Sequence, residues 1–189
     1  DYRSLNNLPP EAISATNTGI LVSAGATAIN QLTATDSDGT VVSYKVLSLP
    51  THGTLYVGGV TVKANQVLTP AQVATLTFDP DGTGAGTSTT FTFTATDNLG
   101  AVDATPATIT IPLISVITGT TPGSRCGTGT VILGATSSAG TINWYAASTG
   151  GVSLGTGTSF TTPSISSTTT YYVDVTDVNG TTPTRTAVV

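Results

Sequence analysis

The chain has 189 residues, of which only 8% are charged, with ten acidic side chains against five basic ones. An ordinary globular protein carries about 25% charged residues, yet the hydrophobic share here is 38% and mean hydropathy is positive, which excludes a charged disordered tail. Arg3, Lys45, Lys63, Arg125 and Arg185 are scattered along the chain, whereas phosphate binding needs basic residues gathered on one face, so nucleic acid is excluded as a partner.

Thr, Ser, Gly and Val take the place of the missing charges. Thr and Val branch at Cβ and pack well on a pleated surface, while Gly marks turns. The composition therefore predicts an all-β chain of short strands. No run of about 18 apolar residues occurs, so no membrane insertion is expected. Cys126 is the single cysteine and cannot close an intrachain disulfide, which leaves stability to core area. The start lacks a signal peptide's basic and apolar regions. With no initiator Met and strand-like sequence running to Val189, the chain reads as an excised piece of a longer one.

Period-2 alternation of apolar with Thr/Ser residues predicts strands at residues 19–22, 27–35, 41–47, 53–57, 74–78, 89–96 and 104–111. Turn chemistry separates them at Asp38-Gly39, Gly58-Gly59, Asp81-Gly82 and Leu99-Gly100. Seven strands in about 110 residues is the scale of an immunoglobulin-type or cadherin-type sandwich. Thr-Ala-Thr-Asp occurs at 33–36 and again at 94–97, placing acidic loops after two strands as B–C and F–G loops at one pole. Residues 114–124, containing Pro122-Gly123, read as a linker.

The alternation then restarts, with strands predicted at 128–135, 141–146, 152–155, 159–161, 169–176 and 182–189. Gly150-Gly151 and Asn179-Gly180 are hairpin turns. Trp144 falls mid-strand, as the core Trp of an Ig-like strand C does, and Tyr171 falls where a corner tyrosine is expected. The organisation is thus two tandem β-sandwich domains: a cadherin-like/Ig-like Greek key over 1–113, the linker 114–124, and a smaller Ig-like sandwich over 125–189.

Two sets of residues carry a family resemblance. Asp36-Ser-Asp-Gly-Thr-Val-Val-Ser-Tyr44, Leu49-Pro-Thr-His-Gly-Thr-Leu-Tyr56 and Phe91-Thr-Phe-Thr-Ala-Thr-Asp-Asn98 resemble bacterial cadherin-like adhesin repeats. Cys126-Gly-Thr-Gly-Thr-Val131, Ile142-Asn-Trp-Tyr145 and Thr170-Tyr-Tyr-Val173 resemble the short Ig-like repeats of Bacteroidetes surface proteins. Together they look like the giant repetitive gliding-motility adhesins. The resemblance implies an extracellular location at the cell surface, type IX secretion, and a non-catalytic spacer role in attachment and gliding. It implies as partners the neighbouring repeats of the same chain, surface polysaccharide or the motility machinery. Many such Ig-like repeats hold a second Cys near the last hairpin, where this chain has Asn179-Gly-Thr-Thr-Pro183, so no family disulfide carries over. A ligand-binding module and an accessory domain of a secreted hydrolase are the alternative functions.

In a Greek-key sandwich, Glu11, Asp36, Asp38, Asp97 and Asp103 would approach one pole. Mutual repulsion among five carboxylates would be relieved by Ca²⁺, which takes 6–8 oxygen ligands; Asx turns explain Asp36 and Asp97 equally well without a metal. Asp79 and Asp81, in Asp79-Pro80-Asp81-Gly82, form a second acidic turn, for which a type I turn suffices. His52, the single histidine, is expected to order the entry to a strand. With no second His or reactive Cys beside it, it lacks the partners of a triad or zinc site. Catalysis is not expected. Trp144 is read as core rather than as a carbohydrate platform, and Asn179-Gly180-Thr181 as a turn rather than a glycosylation sequon.

Overall fold

The computed structural model describes residues 7–189; Arg3 lies outside them. The chain divides into two compact units, Asp1–Thr83 with Ser88–Pro112, and Gly84–Thr87 with Leu113–Val189. Both are all-β sandwiches.

The first unit contains β1 (Glu11–Ile13), β2 (Ala15–Thr16), β3 (Ile20–Leu21), β4 (Thr27–Ala28), β5 (Thr33–Thr35), β6 (Val41–Val46), β7 (Thr54–Val57), β8 (Val60–Thr61) and β9 (Val67–Leu68). A one-turn helix α1 (Pro70–Val73), then β10 (Leu76–Asp79), β11 (Ser88–Asp97) and β12 (Ala107–Ile114) complete it. One sheet has the order β2-β12-β11-β6-β9, a second β4-β10-β7-β8, and β1 pairs with β5. Alternation decides which residues go inside. Along β11, Phe91, Phe93, Ala95 and Asp97 are buried; along β12, whose last two residues belong to the second unit, Ala107, Ile109 and Ile111 are. Leu55 and Phe78 supply the opposing layer and are almost wholly buried, each such side chain contributing about 1.5–3 kcal/mol.

Three local features differ from the sequence expectation. Residues 27–35 are two strands in two sheets rather than one, because Ile29 and Leu32 are both buried and break a strict alternation. Ala74 belongs to the end of α1, whose capping box joins Thr69 and Gln72 and whose first residue is Pro70. That proline supplies a helical φ where no donor is needed. The strands of Glu11–Thr16 carry too few apolar residues to announce themselves. Of these, β2 runs parallel to β12, Ala15 opposite Ile109 and Thr16 opposite Thr110.

The second unit contains β13 (Ile117–Thr121), β14 (Ile132–Ser137), β15 (Thr141–Tyr145), β16 (Gly155–Thr156), β17 (Ser159–Thr161), β18 (Tyr171–Asp177), β19 (Gly180–Thr181) and β20 (Thr186–Val188). The sheets are β13-β14-β17 and β16-β15-β18-β19, with β20 also on β18. The expected linker 114–124 therefore carries a strand, β13, antiparallel to β14. Its Thr-Gly-Thr-Thr sequence hid it, since only Ile117 of the strand packs against the core. Residues 152–155, expected as a strand, contribute only Gly155; Val152 is 87% exposed. Trp144 sits at the centre of the core with no exposure, among Leu133, Ile142, Tyr171 and Val173. Its ring stacks on Phe160 at 5.3 Å, Phe160 in turn meets Tyr171 at 5.3 Å, and its Nε1–H donates to Gly157 O at 2.8 Å. Burying an indole requires such a partner.

Candidate functional site: the acidic pole of the first unit

Three segments meet at the end of the first unit's long sheet. Asx turns shape the loop after β5, where Asp36 Oδ1 accepts from the N–H groups of Asp38 and Gly39. In the loop after β11, Asp97 Oδ1 accepts from Leu99 N at 2.8 Å and Ala101 N at 2.8 Å. Thr40 N donates to Asn98 Oδ1 and Asn98 N donates to Thr40 O, which ties the two loops together. The entering chain closes the group. Asn7 Nδ2 donates to Asp97 Oδ2 at 2.7 Å, Leu8 N to Asp38 Oδ2 at 3.2 Å, and Ala12 N to Asp103 Oδ2 at 2.7 Å.

Sequence alternation predisposes this arrangement. Asp97 continues the inward row of Phe91, Phe93 and Ala95 and is 2% exposed. A bulge at Val42 of β6 shifts the register beside it, since Thr96 faces Ser43 whereas Asp97 faces Val41. Bulges re-aim strand ends in this way. Burial pushes the Asp97 carboxyl up, but hydrogen bonds from Asn7, Ala101, Leu99 and Gly100 outweigh it and hold it below the usual carboxylate range. Asp103, also buried, is likewise raised by desolvation and lowered further by Thr105 and Ala12.

Among the described residues, no three His, Cys, Asp or Glu side chains lie close enough to share a metal ion. Both Asp103 oxygens are occupied by donors. Glu11 is exposed on β1, opposite Thr35. Two other oxygens are left over. Asp36 Oδ2 and Asn7 Oδ1 are buried with no hydrogen-bond partner among the described residues, a costly state for a polar atom. Gly39 leaves a small cradle beside Asp36: a Cβ there would lie 2.6 Å from both Asp36 Oδ2 and Asn98 Oδ1. Sequence reasoning missed Asn7 and Asn98 because it weighed only charged oxygen donors. Carboxylate and amide oxygens of this kind suit a hard cation, with amide and water oxygens filling the shell that the acids do not.

The remaining expected residues are elsewhere. Asp81 Oδ1 accepts from Thr83 N and Thr83 Oγ1, and these bonds lower its carboxyl. His52 Nδ1 is 2.9 Å from Thr83 Oγ1. Since that hydroxyl donates to Asp81, the imidazole is the donor, and the order His-Thr-Asp does not activate the threonine. Asp79 ends β10 opposite Thr54.

In the second unit a polar cluster around Asp174 was not expected from the sequence. Asp174, 4% exposed, receives Asn143 Nδ2 at 2.8 Å, Tyr145 Oη at 3.4 Å and Arg185 Nε at 3.3 Å. Burial and the Asp174 charge beside it raise the Tyr145 hydroxyl. Asp177 takes Ser115 N and Asn179 N and is held low by them despite desolvation. Asn179 Nδ2 donates to Thr87 O and Leu113 O, so this side chain serves the fold.

Residues 112–189 match the model of a family described as an Ig-like domain, CHU_C associated. The solved structure of Drosophila N-cadherin EC1-3 is similar at 14% identity with a TM-score of 0.37; the match covers 97% of this chain and 66% of that one. No curated protein matches the chain.

Proposed function

We propose that the chain is a tension-bearing spacer segment of a large secreted cell-surface adhesin, of the gliding-motility type, rather than an enzyme. One observation carries this reading: the parallel pairing of β2 with β12. In a parallel pair, a pull on the chain entering β2 and a pull on the chain leaving β12 act at opposite ends. The hydrogen bonds are then loaded together in shear instead of being peeled one at a time. Asn17 N–H, donating to Thr110 O at 2.9 Å, extends the clamp. The family match of residues 112–189 supports an Ig-like module in the same chain.

Pulling single molecules by their two ends tests it. The first unit should resist more force than the same unit pulled across β6 and β11, and Ala15→Pro should lower the end-to-end force. Equal resistance in both geometries would rule the spacer reading out.

A calcium ion at the acidic pole belongs to the proposal. Asp36 and Asn7 would hold it through the two oxygens that have no partner among the described residues, with backbone and water oxygens completing the shell; it would offset the Asp36 charge and fix the entering chain. Ten times the Kd of free Ca²⁺ would add about 1.4 kcal/mol to the folded state. Melting with calcium and with chelator should differ by several degrees, and Asp36→Asn should abolish the difference. Identical melting curves would remove the ion from the account.

A further inference from the structure

We infer that a cavity in the second unit binds one acidic sugar residue of an anionic polysaccharide. The cavity has a volume of about 270 Å³, just under the size range of ligand pockets and therefore suited to one ring rather than a chain. Val131, Leu133 and Ile165 form apolar wall, and Ser166, Ser167, Thr168 and Thr169 give an unbroken run of hydroxyls along it. Among the described residues no acidic side chain lines it, although acids outnumber bases two to one in the sequence. One of the five basic residues, Arg125, does.

Arg125 is held in place there. Its Nη1 donates to Thr130 O at 3.2 Å, and the guanidinium lies across Gly129, in the space that a Cβ would take. Gly129 has φ of +154°, a conformation that glycine accommodates. Among the described residues the rest of the guanidinium fork makes no hydrogen bond, and it matches a carboxylate through two parallel N–H···O bonds. A uronate-type sugar supplies that carboxylate, several hydroxyls for the Ser/Thr run, and a C–H face for the apolar wall. A neutral sugar lacks the first, and a simple carboxylate lacks the other two. The site is independent of the spacer reading, because it asks only what this cavity holds.

The test is an NMR titration of the full chain, amidated at its C-terminus because Val189 lines the cavity and a terminal carboxylate would compete with the ligand. The probes are oligogalacturonate, neutral oligogalactose and a hexaglutamate peptide. Oligogalacturonate should shift amide signals in residues 123–131 and 162–171, with oligogalactose and hexaglutamate weaker by about tenfold or more. Arg125→Gln should weaken oligogalacturonate binding about tenfold, Arg125→Lys less, while Trp144 fluorescence reports an unchanged fold. Equal binding of the neutral sugar, or unaltered affinity in Arg125→Gln, would overturn the proposal. So would equal binding of the peptide, which would assign the cavity to protein carboxylates, or no shifts at about 10 mM probe, beyond any useful affinity.

Discussion

Arg185 lies over Tyr145, its Cζ 3.2 Å from the ring centroid, while its Nε reaches Asp174 at 3.3 Å. The guanidinium also donates through Nη1 to Ala147 O and Gly150 O, so one side chain joins the loop after β15 to β18. Removing it leaves a buried carboxylate without its counter-charge. We expect Arg185→Ala to cost about 3 kcal/mol, the scale for breaking a buried pair, and Arg185→Lys to recover only part, because a point charge cannot keep stack and fork together. Urea denaturation followed by Trp144 fluorescence measures both. Losses of under about 0.5 kcal/mol, typical of an exposed pair, would contradict this picture.

Trp144 holds the smaller core together. Trp144→Ala should cost about 3–5 kcal/mol, enough to leave a unit of this size largely unfolded. Trp144→Phe should be milder but still costly, since Gly157 O loses its donor. Circular dichroism melts of the two variants rank them; a Trp144→Ala protein that melts like the parent would refute the assignment of this ring to the core.

Gly53 precedes β7 with φ of +140°. A Cβ there would stand 2.5 Å from Asp79 O and from the ring of Phe78, which is wholly buried. Neither neighbour is a flexible tip. Gly53→Ala should therefore destabilise the first unit by about 1–3 kcal/mol or more, whereas Gly58→Ala, with open space around its Cβ position, should cost less. Paired denaturation curves decide it.

Acid should loosen both units. Burial raises the carboxyls of Asp97, Asp103 and Asp177, but their hydrogen bonds more than offset it and leave all three low. A group with a depressed folded pKa adds stability above its unfolded value, about 3.9 for Asp, and loses it as pH falls through the folded value. The melting temperature should stay level from about pH 7 to pH 5 and drop below about pH 4. Asp97→Asn should flatten part of that fall in the first unit. A curve that rises on acidification would oppose these hydrogen-bond assignments.

Much of this architecture was legible beforehand, and the reason is period 2. Phe91, Phe93 and Ala95 alternate with threonines, and so do Ile109, Ile111 and Leu113, so both long strands and their inward faces follow from the sequence. Short edge strands escaped because they bury almost nothing: β13 exposes Gly119, Thr120 and Thr121, and β8 exposes both its residues. Meeting of the two acidic loops followed from sandwich topology. Asn7 and Asn98 did not, as neutral amides are unremarkable in a loop until the Asn7 oxygen is seen buried and the Asn98 oxygen is seen holding Thr40 N. Asp174 and Arg185 are 11 residues apart and separated by a hairpin, and nothing in the spacing paired them.

Asn179 precedes a glycine, the sequence context in which asparagine side chains most readily cyclise and age to isoaspartate. Here its amide nitrogen is anchored to two carbonyls, and cyclisation would have to break both contacts before the ring could close. The second unit is thereby shielded from a chemical clock at its most vulnerable dipeptide.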